Sequence, residues 1–116
     1  MSKIVFYPGG RKEWYIYGEL HRDGGPAVVH PDGTEVWYWH GKCHREDGPA
    51  VVYPGGRRCW YLNGKCHRED GPAVIRLDGS EEWYLGGECV DHEVDDFELV
   101  WVQLVDEYRV REVMEL

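Results

Sequence analysis

CHREDGPAV, from Cys43 to Val51, returns letter for letter at Cys66 to Val74, and a looser copy, LHRDGGPAV, runs from Leu20 to Val28. The stretch gathers histidine, cysteine, arginine and paired acids, the side chains of metal sites and of acid/base chemistry. Read as a site, it makes the chain an enzyme or a metalloprotein. Read as a structural unit, it makes the chain a repeat protein.

The same 23-residue step extends outward on both sides. Trp14, Trp37, Trp60 and Trp83 keep it, each followed by tyrosine, and so do Gly18, Gly41, Gly64 and Gly87. His21, His44 and His67 follow it, as do Pro26, Pro49 and Pro72. The turns YPGG (7–10), HPDG (30–33), YPGG (53–56) and LDGS (77–80) occupy matching places. Self-similarity at a fixed period is the signature of a repeat architecture. The unit is roughly WY-x-x-G-x-x-HRxDGPAVV-x-PDG, entered part-way through by KIVFYPGG.

Each unit reads as β-structure. AVVYP is a short β-branched strand, PGG or PDG a tight turn, and RRCWYL the returning strand. Asn63-Gly64 is a two-residue hairpin signal. EDGP bends or bulges the chain, because Pro lacks a donor and Gly is a poor strand residue. The expectation is a mainly β fold: an antiparallel meander of repeated 23-residue hairpins, about eight strands over residues 3–89. After Gly87 the fourth unit gives ECVDHEVDDF and abandons the motif. Phe97, Val100, Trp101, Leu104, Val105 and Tyr108 then fall at helical spacing. That pattern predicts a helix from about 95 to 108, with Asp95 and Glu98 at capping-box spacing. RVREV beyond it reads as helix or strand. Residues 90–116 are thus an acidic, mainly helical segment of one domain spanning 1–116, whose helix covers a face or open edge of the sheet.

Register decides against a site. With Asn63-Gly64 as the loop, Tyr61 opposes Cys66 and Trp60 opposes His67, and opposed residues share a face. Leu20 takes the cysteine place in the first unit, and a ligand or nucleophile does not exchange for Leu. The histidines are expected to stack on the tryptophans. Adjacent Cys66 and His67 point to opposite faces, and equivalent cysteines lie roughly 10 Å apart, too far for zinc ligands or a disulfide. His44 with Asp47 and His67 with Asp70 could be drawn as catalytic dyads, but one active site has no use for identical copies along a ladder. The acid before Gly-Pro is expected to accept backbone N–H bonds, and Arg45 and Arg68 beside Glu46 and Glu69 to be solvated edge charges. No catalytic residue, metal ligand or cofactor is assigned.

With these residues in view the chain resembles a variant of the MORN repeat, over Lys3 to about Cys89, in the HREDGPAV form seen in proteins of bacteriophages, large viruses and bacteria. It departs from the usual MORN pattern in R-E-D-G-P after the histidine, where MORN repeats carry a close Gly-x-Gly, and in its acidic end. The resemblance implies a curved hairpin sheet and non-catalytic binding to proteins or lipids.

Of 116 residues, 42% are hydrophobic and 30% charged, with 6 Trp and 8 Tyr beside 2 Phe. Residues 1–78 hold 11 Lys+Arg against 10 Asp+Glu, while residues 79–116 hold 2 against 12. The net charge of −9 therefore comes from the last third. Such a charge disfavours direct binding to nucleic acid and to membranes. The apolar runs are short and no secretory signal is read, so the expected setting is cytoplasmic with reduced thiols, a bacterial host cell if the chain is phage-encoded. The expected function is non-enzymatic protein binding through Glu81, Glu82, Glu88, Asp91, Glu93, Asp95, Asp96 and Glu98. The partner class is a basic, nucleic-acid-binding surface, with a CRISPR or other defence nuclease complex the working guess, in the manner of an anti-CRISPR inhibitor. The alternative is a scaffolding module using an aromatic face of Tyr17, Trp39, Tyr53 and Tyr108, with a homodimer a further possibility. A small hydrolase or zinc protein ranks behind both.

Overall fold

The computed structural model describes residues 1–114. The strands, in chain order, are β1 (Ser2–Phe6), β2 (Lys12–Ile16), β3 (Glu19–Leu20), β4 (Val28–Val29), β5 (Glu35–Val36), β6 (Tyr38–Trp39) and β7 (Lys42–Cys43). They continue as β8 (Val51–Val52), β9 (Arg58–Cys59), β10 (Tyr61–Leu62), β11 (Lys65–Cys66), β12 (Val74–Ile75), β13 (Glu81–Leu85) and β14 (Glu88–Val90), followed by α1 (Phe97–Met114). All pairings are antiparallel, and the main sheet runs β1-β2-β4-β5-β8-β9-β12-β13-β14, with no closure into a barrel. The plate measures 51 × 39 × 18 Å. No described helix is long and apolar enough to cross a membrane.

The short pieces join into longer strands at the tryptophans. Val36 pairs with Val51, and Tyr38 with Cys43, both on the same side of one strand. Between them Trp37 donates its N–H to the Ala50 carbonyl, and its own carbonyl accepts from His44. The partner strand therefore leaves the ladder after His44 and returns at Ala50. Residues 45–49 loop out opposite a single tryptophan, an extended form of β-bulge. Trp14 and Trp60 repeat the arrangement with His21/Ala27 and His67/Ala73. Ala27, Ala50 and Ala73 are fully buried, so the invariant Ala sits where the looped chain re-enters the sheet.

The tyrosine–cysteine register is as expected: Tyr15 opposes Leu20, Tyr38 Cys43, Tyr61 Cys66 and Tyr84 Cys89. One core cluster joins Val51, Cys59 and Val74 with Val36, Cys43, Tyr61, Cys66 and Tyr84. At the repeat position of Val36 and Cys59 the terminal units carry Glu13 and Glu82. Hydrogen bonds from the Tyr15 and Tyr7 hydroxyls hold the Glu13 carboxyl below its ordinary value, outweighing its burial.

Three expectations are corrected. The motif histidines oppose the tryptophans along the backbone but do not stack on them; the arginines do. Arg22, Arg45 and Arg68 lie over Trp14, Trp37 and Trp60, with guanidinium to ring-centre distances of 4.0, 3.8 and 4.0 Å. Arg45 and Arg68 are consequently not solvated edge charges, since their side chains are only 24% and 23% exposed. Asp47 and Asp70 accept from the arginine Nε atoms, at 2.9 Å each, rather than from the backbone.

The helix also differs in extent. It begins at Phe97 and runs to Met114, so the RVREV stretch is helical as far as described, and residues 115–116 lie outside the described residues. Asp96, not Asp95, opens it: its carbonyl accepts from Leu99 and Val100. Trp101 and Val105 bury against Leu85, with Trp83, Val90, Phe97, Leu104 and Tyr108 packed around them. The helix thus closes the β13–β14 end of the stack.

Candidate functional site

The HRED loop is a clasp between neighbouring repeats. Nδ1 of His21 accepts from the backbone N–H of His40, that of His44 from Asn63, and that of His67 from Gly86, at 2.8–2.9 Å. Each donor lies 19 residues on, in the hairpin turn of the next unit. Because Nδ1 accepts, the proton of the neutral ring sits on Nε2, which faces Asp23 at 3.2 Å, Glu46 at 3.6 Å and Glu69 at 2.9 Å. Arginine fastens the loop to itself, NH1 donating to the carbonyls of Pro26, Pro49 and Pro72. The glycine before the proline leaves room for this side chain: a Cβ on Gly48 or Gly71 would stand 2.9 or 2.8 Å from the guanidinium carbon and push the arginine out of its clasped position. A buried hydrogen bond of this kind contributes about 1 kcal/mol net, and an orphaned partner costs about 1–3. Nδ1 of every motif histidine is therefore engaged within the fold, and so is Nε2 of His21 and His67, while Nε2 of His44 lies 3.6 Å from Glu46, outside hydrogen-bond distance.

The cysteines carry no cluster chemistry. Among the described residues no group of three His, Cys, Asp or Glu could hold a metal ion. All four thiols are free. Burial pushes the Cys43 thiol up to about 11 and that of Cys66 up to about 12.

In the fourth unit the clasp is replaced by α1. Val90 and Asp91 stand where the histidine and arginine would, and Trp83 is covered by Phe97 and Trp101, with ring centres at 4.9 and 4.8 Å. Trp101 Nε1 donates to the Glu69 carbonyl at 2.7 Å, and Arg109 Nε to the Glu69 carboxylate at 2.6 Å. Burial raises the Glu69 carboxyl, but the bonds from His67 and Arg109 outweigh it and leave the group below its ordinary value. Sequence reasoning missed Arg109 and took Arg45, Arg68 and Glu69 for solvated charges. The spacing that could have found the arginines is Arg-x-x-Gly-Pro, shared by all three units.

Of the eight acids singled out from sequence, Glu81, Glu88, Asp91, Glu93, Asp95, Asp96 and Glu98 are exposed. Glu82 is not free, since Arg76 donates to it at 2.7 Å. Asp91 caps the Glu93 N–H at 3.0 Å. The four aromatics fall in separate places. Tyr17 and Trp39 sit at hairpin tips, with Trp39 on the His21 ring at 4.1 Å. Tyr53 lies at the opposite strand ends beneath Arg57, and Tyr108 is half-buried on His67. An open groove of about 580 Å³ separates the second and third clasps, lined by Trp60, Leu62 and clasp residues of mixed charge.

Comparison with known proteins gave no match: no family model, curated sequence or solved structure aligns with the chain.

Proposed function

We propose that the chain is a non-enzymatic protein-binding module, a MORN-like repeat platform that docks its acidic carboxy-terminal surface on a basic surface of a partner. The observation that carries this reading is the position of the exposed acids. Asp95, Asp96 and Glu98 flank the start of α1, where a helix dipole favours them. Glu88, Asp91 and Glu93 lie ahead of that turn, exposed, and no Lys or Arg occurs between Glu88 and Glu98. Such a field attracts and steers basic partners. The working candidate is a nucleic-acid-binding protein, with a nuclease complex of a bacterial defence system, CRISPR or another, as its model and the cytoplasm of a phage-infected cell as the setting. The engagement of the motif histidines in the clasps supports binding over catalysis.

The test is capture from a bacterial lysate containing defence complexes, with wild-type chain and with Asp91, Glu93, Asp95 and Asp96 all changed to Lys. Basic proteins should be retained by the first and lost by the second. Equal retention by both refutes the acidic docking surface.

A further inference from the structure

The two ends of the stack are treated differently. α1 packs against Trp83, Leu85 and Val90 at the β13–β14 end, while β1 at the other end pairs, among the described residues, only with β2. The hydrogen bonds from Tyr17 N–H to the Met1 carbonyl and from Tyr7 N–H to the Arg11 carbonyl set the phase of that ladder. In antiparallel alternation they direct the N–H and C=O groups of Lys3 and Val5 to β2 and those of Ser2, Ile4 and Phe6 outward. Ile4 is 48% and Phe6 68% exposed on this edge. Ile4 stands one repeat before Ala27, which is fully buried under the re-entering chain.

We infer that β1 is a dimerisation edge, pairing antiparallel with β1 of a second copy about a dyad at Ile4. That register matches Ile4 with Ile4 and Ser2 with Phe6, and it satisfies all six outward backbone groups on each copy. It places Ile4 and Phe6 of both copies on one face, and sets Lys3 against the partner's Val5 rather than against a like charge. Among the described residues the other end of the main sheet is β14, where α1 packs against Trp83, Leu85 and Val90 and crowds the approach of a further repeat, which favours an isologous contact at β1. Charge favours the same choice. β1 and the acidic segment lie at opposite ends of the strand order, so the −10 thirds stay far apart beyond a Debye length of about 8–10 Å, and the near-neutral ends meet. The contact is small, which puts it in the weak, reversible class.

Sedimentation of the wild-type chain from micromolar to millimolar concentration tests this. A reversible dimer is expected, weakened about tenfold or more by Ile4→Pro, which removes one outward donor per copy. That substitution leaves the β1–β2 bonds intact, so its melting curve should match wild type. Ile4→Cys in a Cys89→Ser background should give a disulfide-linked dimer on mild oxidation. A wild-type chain that stays monomeric throughout leaves the edge to a strand of another protein and overturns the proposal. So does a dimer unaffected by Ile4→Pro but lost on Val102→Glu, which would place the contact on the outer stripe of α1.

Discussion

Tyr108 of α1 lies on the imidazole of His67, ring centres 4.8 Å apart, as Trp39 lies on His21 at 4.1 Å two repeats earlier. The helix thus supplies the last clasp histidine with an aromatic cover that the fourth hairpin, with Leu85 in the place of Trp39, does not. The same Tyr108 ring explains Gly86. Tyr17, His40 and Asn63 occupy its repeat position with φ of 48 to 50°, so that backbone tolerates side chains. A Cβ on Gly86 would instead stand 2.8 Å from Tyr108.

Gly86→Ala should therefore destabilise the chain by about 1–3 kcal/mol, mostly through the collision. Urea unfolding of Gly86→Ala, Tyr108→Ala and the double variant measures it. The double variant should be less unstable than the two losses added, with a coupling of about 0.5–3 kcal/mol. Strict additivity would deny the contact.

Removing a clasp arginine should cost more than removing a surface charge. Arg68→Ala forfeits the stacking on Trp60 and the bonds to Asp70 and Pro72, together about 2 kcal/mol. Arg68→Lys should recover little, because an ammonium cannot make the forked contacts of a guanidinium. Chemical denaturation of both variants decides. A loss below about 0.5 kcal/mol for Arg68→Ala would return the residue to the solvated edge.

The sheet was legible because the 23-residue step indexes every opposed pair, down to Trp83 against Val90. The clasp was not. Backbone register says that His67 opposes Trp60, but the chain leaves the ladder right after His67, and Arg68 folds back over the ring instead. Periodicity fixes opposed residues on a strand and is silent about a looped-out neighbour. The end of the helix is not legible in the sequence, where RVREV reads as helix or strand, because the helix is apolar on two sides. Phe97, Trp101, Val105 and Tyr108 face the sheet, while Leu99, Val102, Val110 and Val113 are exposed, which blurs its amphipathic period. The acids were legible as charge, but the Arg76 bond that takes Glu82 out of the surface required the fold.

Acid should loosen the helix. The folded-state Glu69 carboxyl lies below its ordinary value, so it binds its proton less readily folded than unfolded. Its contribution is fully present above the ordinary glutamate range, about 4.3, and is lost as pH falls through the lower folded value. Fluorescence of the chain, including Trp101, followed from pH 7 to pH 2 should show this loss. Glu69→Gln should flatten that part of the profile, and an unchanged profile would remove the Arg109–Glu69 pair from the account.

Thiol reactivity should separate by burial. Cys89 is exposed, whereas Cys59 is buried and Cys43 and Cys66 are shifted upward by burial. At pH 8 a thiol reagent should label one cysteine quickly in the folded chain and all four after unfolding. Cys89→Ser should abolish the fast phase. Rapid labelling of two or more would contradict the packing of the tyrosine–cysteine pairs.

The claim that the repeated motif builds the fold while the acidic end does the binding is tested most directly by quantitative capture from lysate at a temperature where all variants are folded. The His67→Gln chain should melt lower yet retain the wild-type set of basic partners. The chain with Asp91, Glu93, Asp95 and Asp96 changed to Lys should melt as wild type and lose them. A folded His67→Gln chain that loses those partners, or a charge-reversed chain that keeps them, would contradict the account.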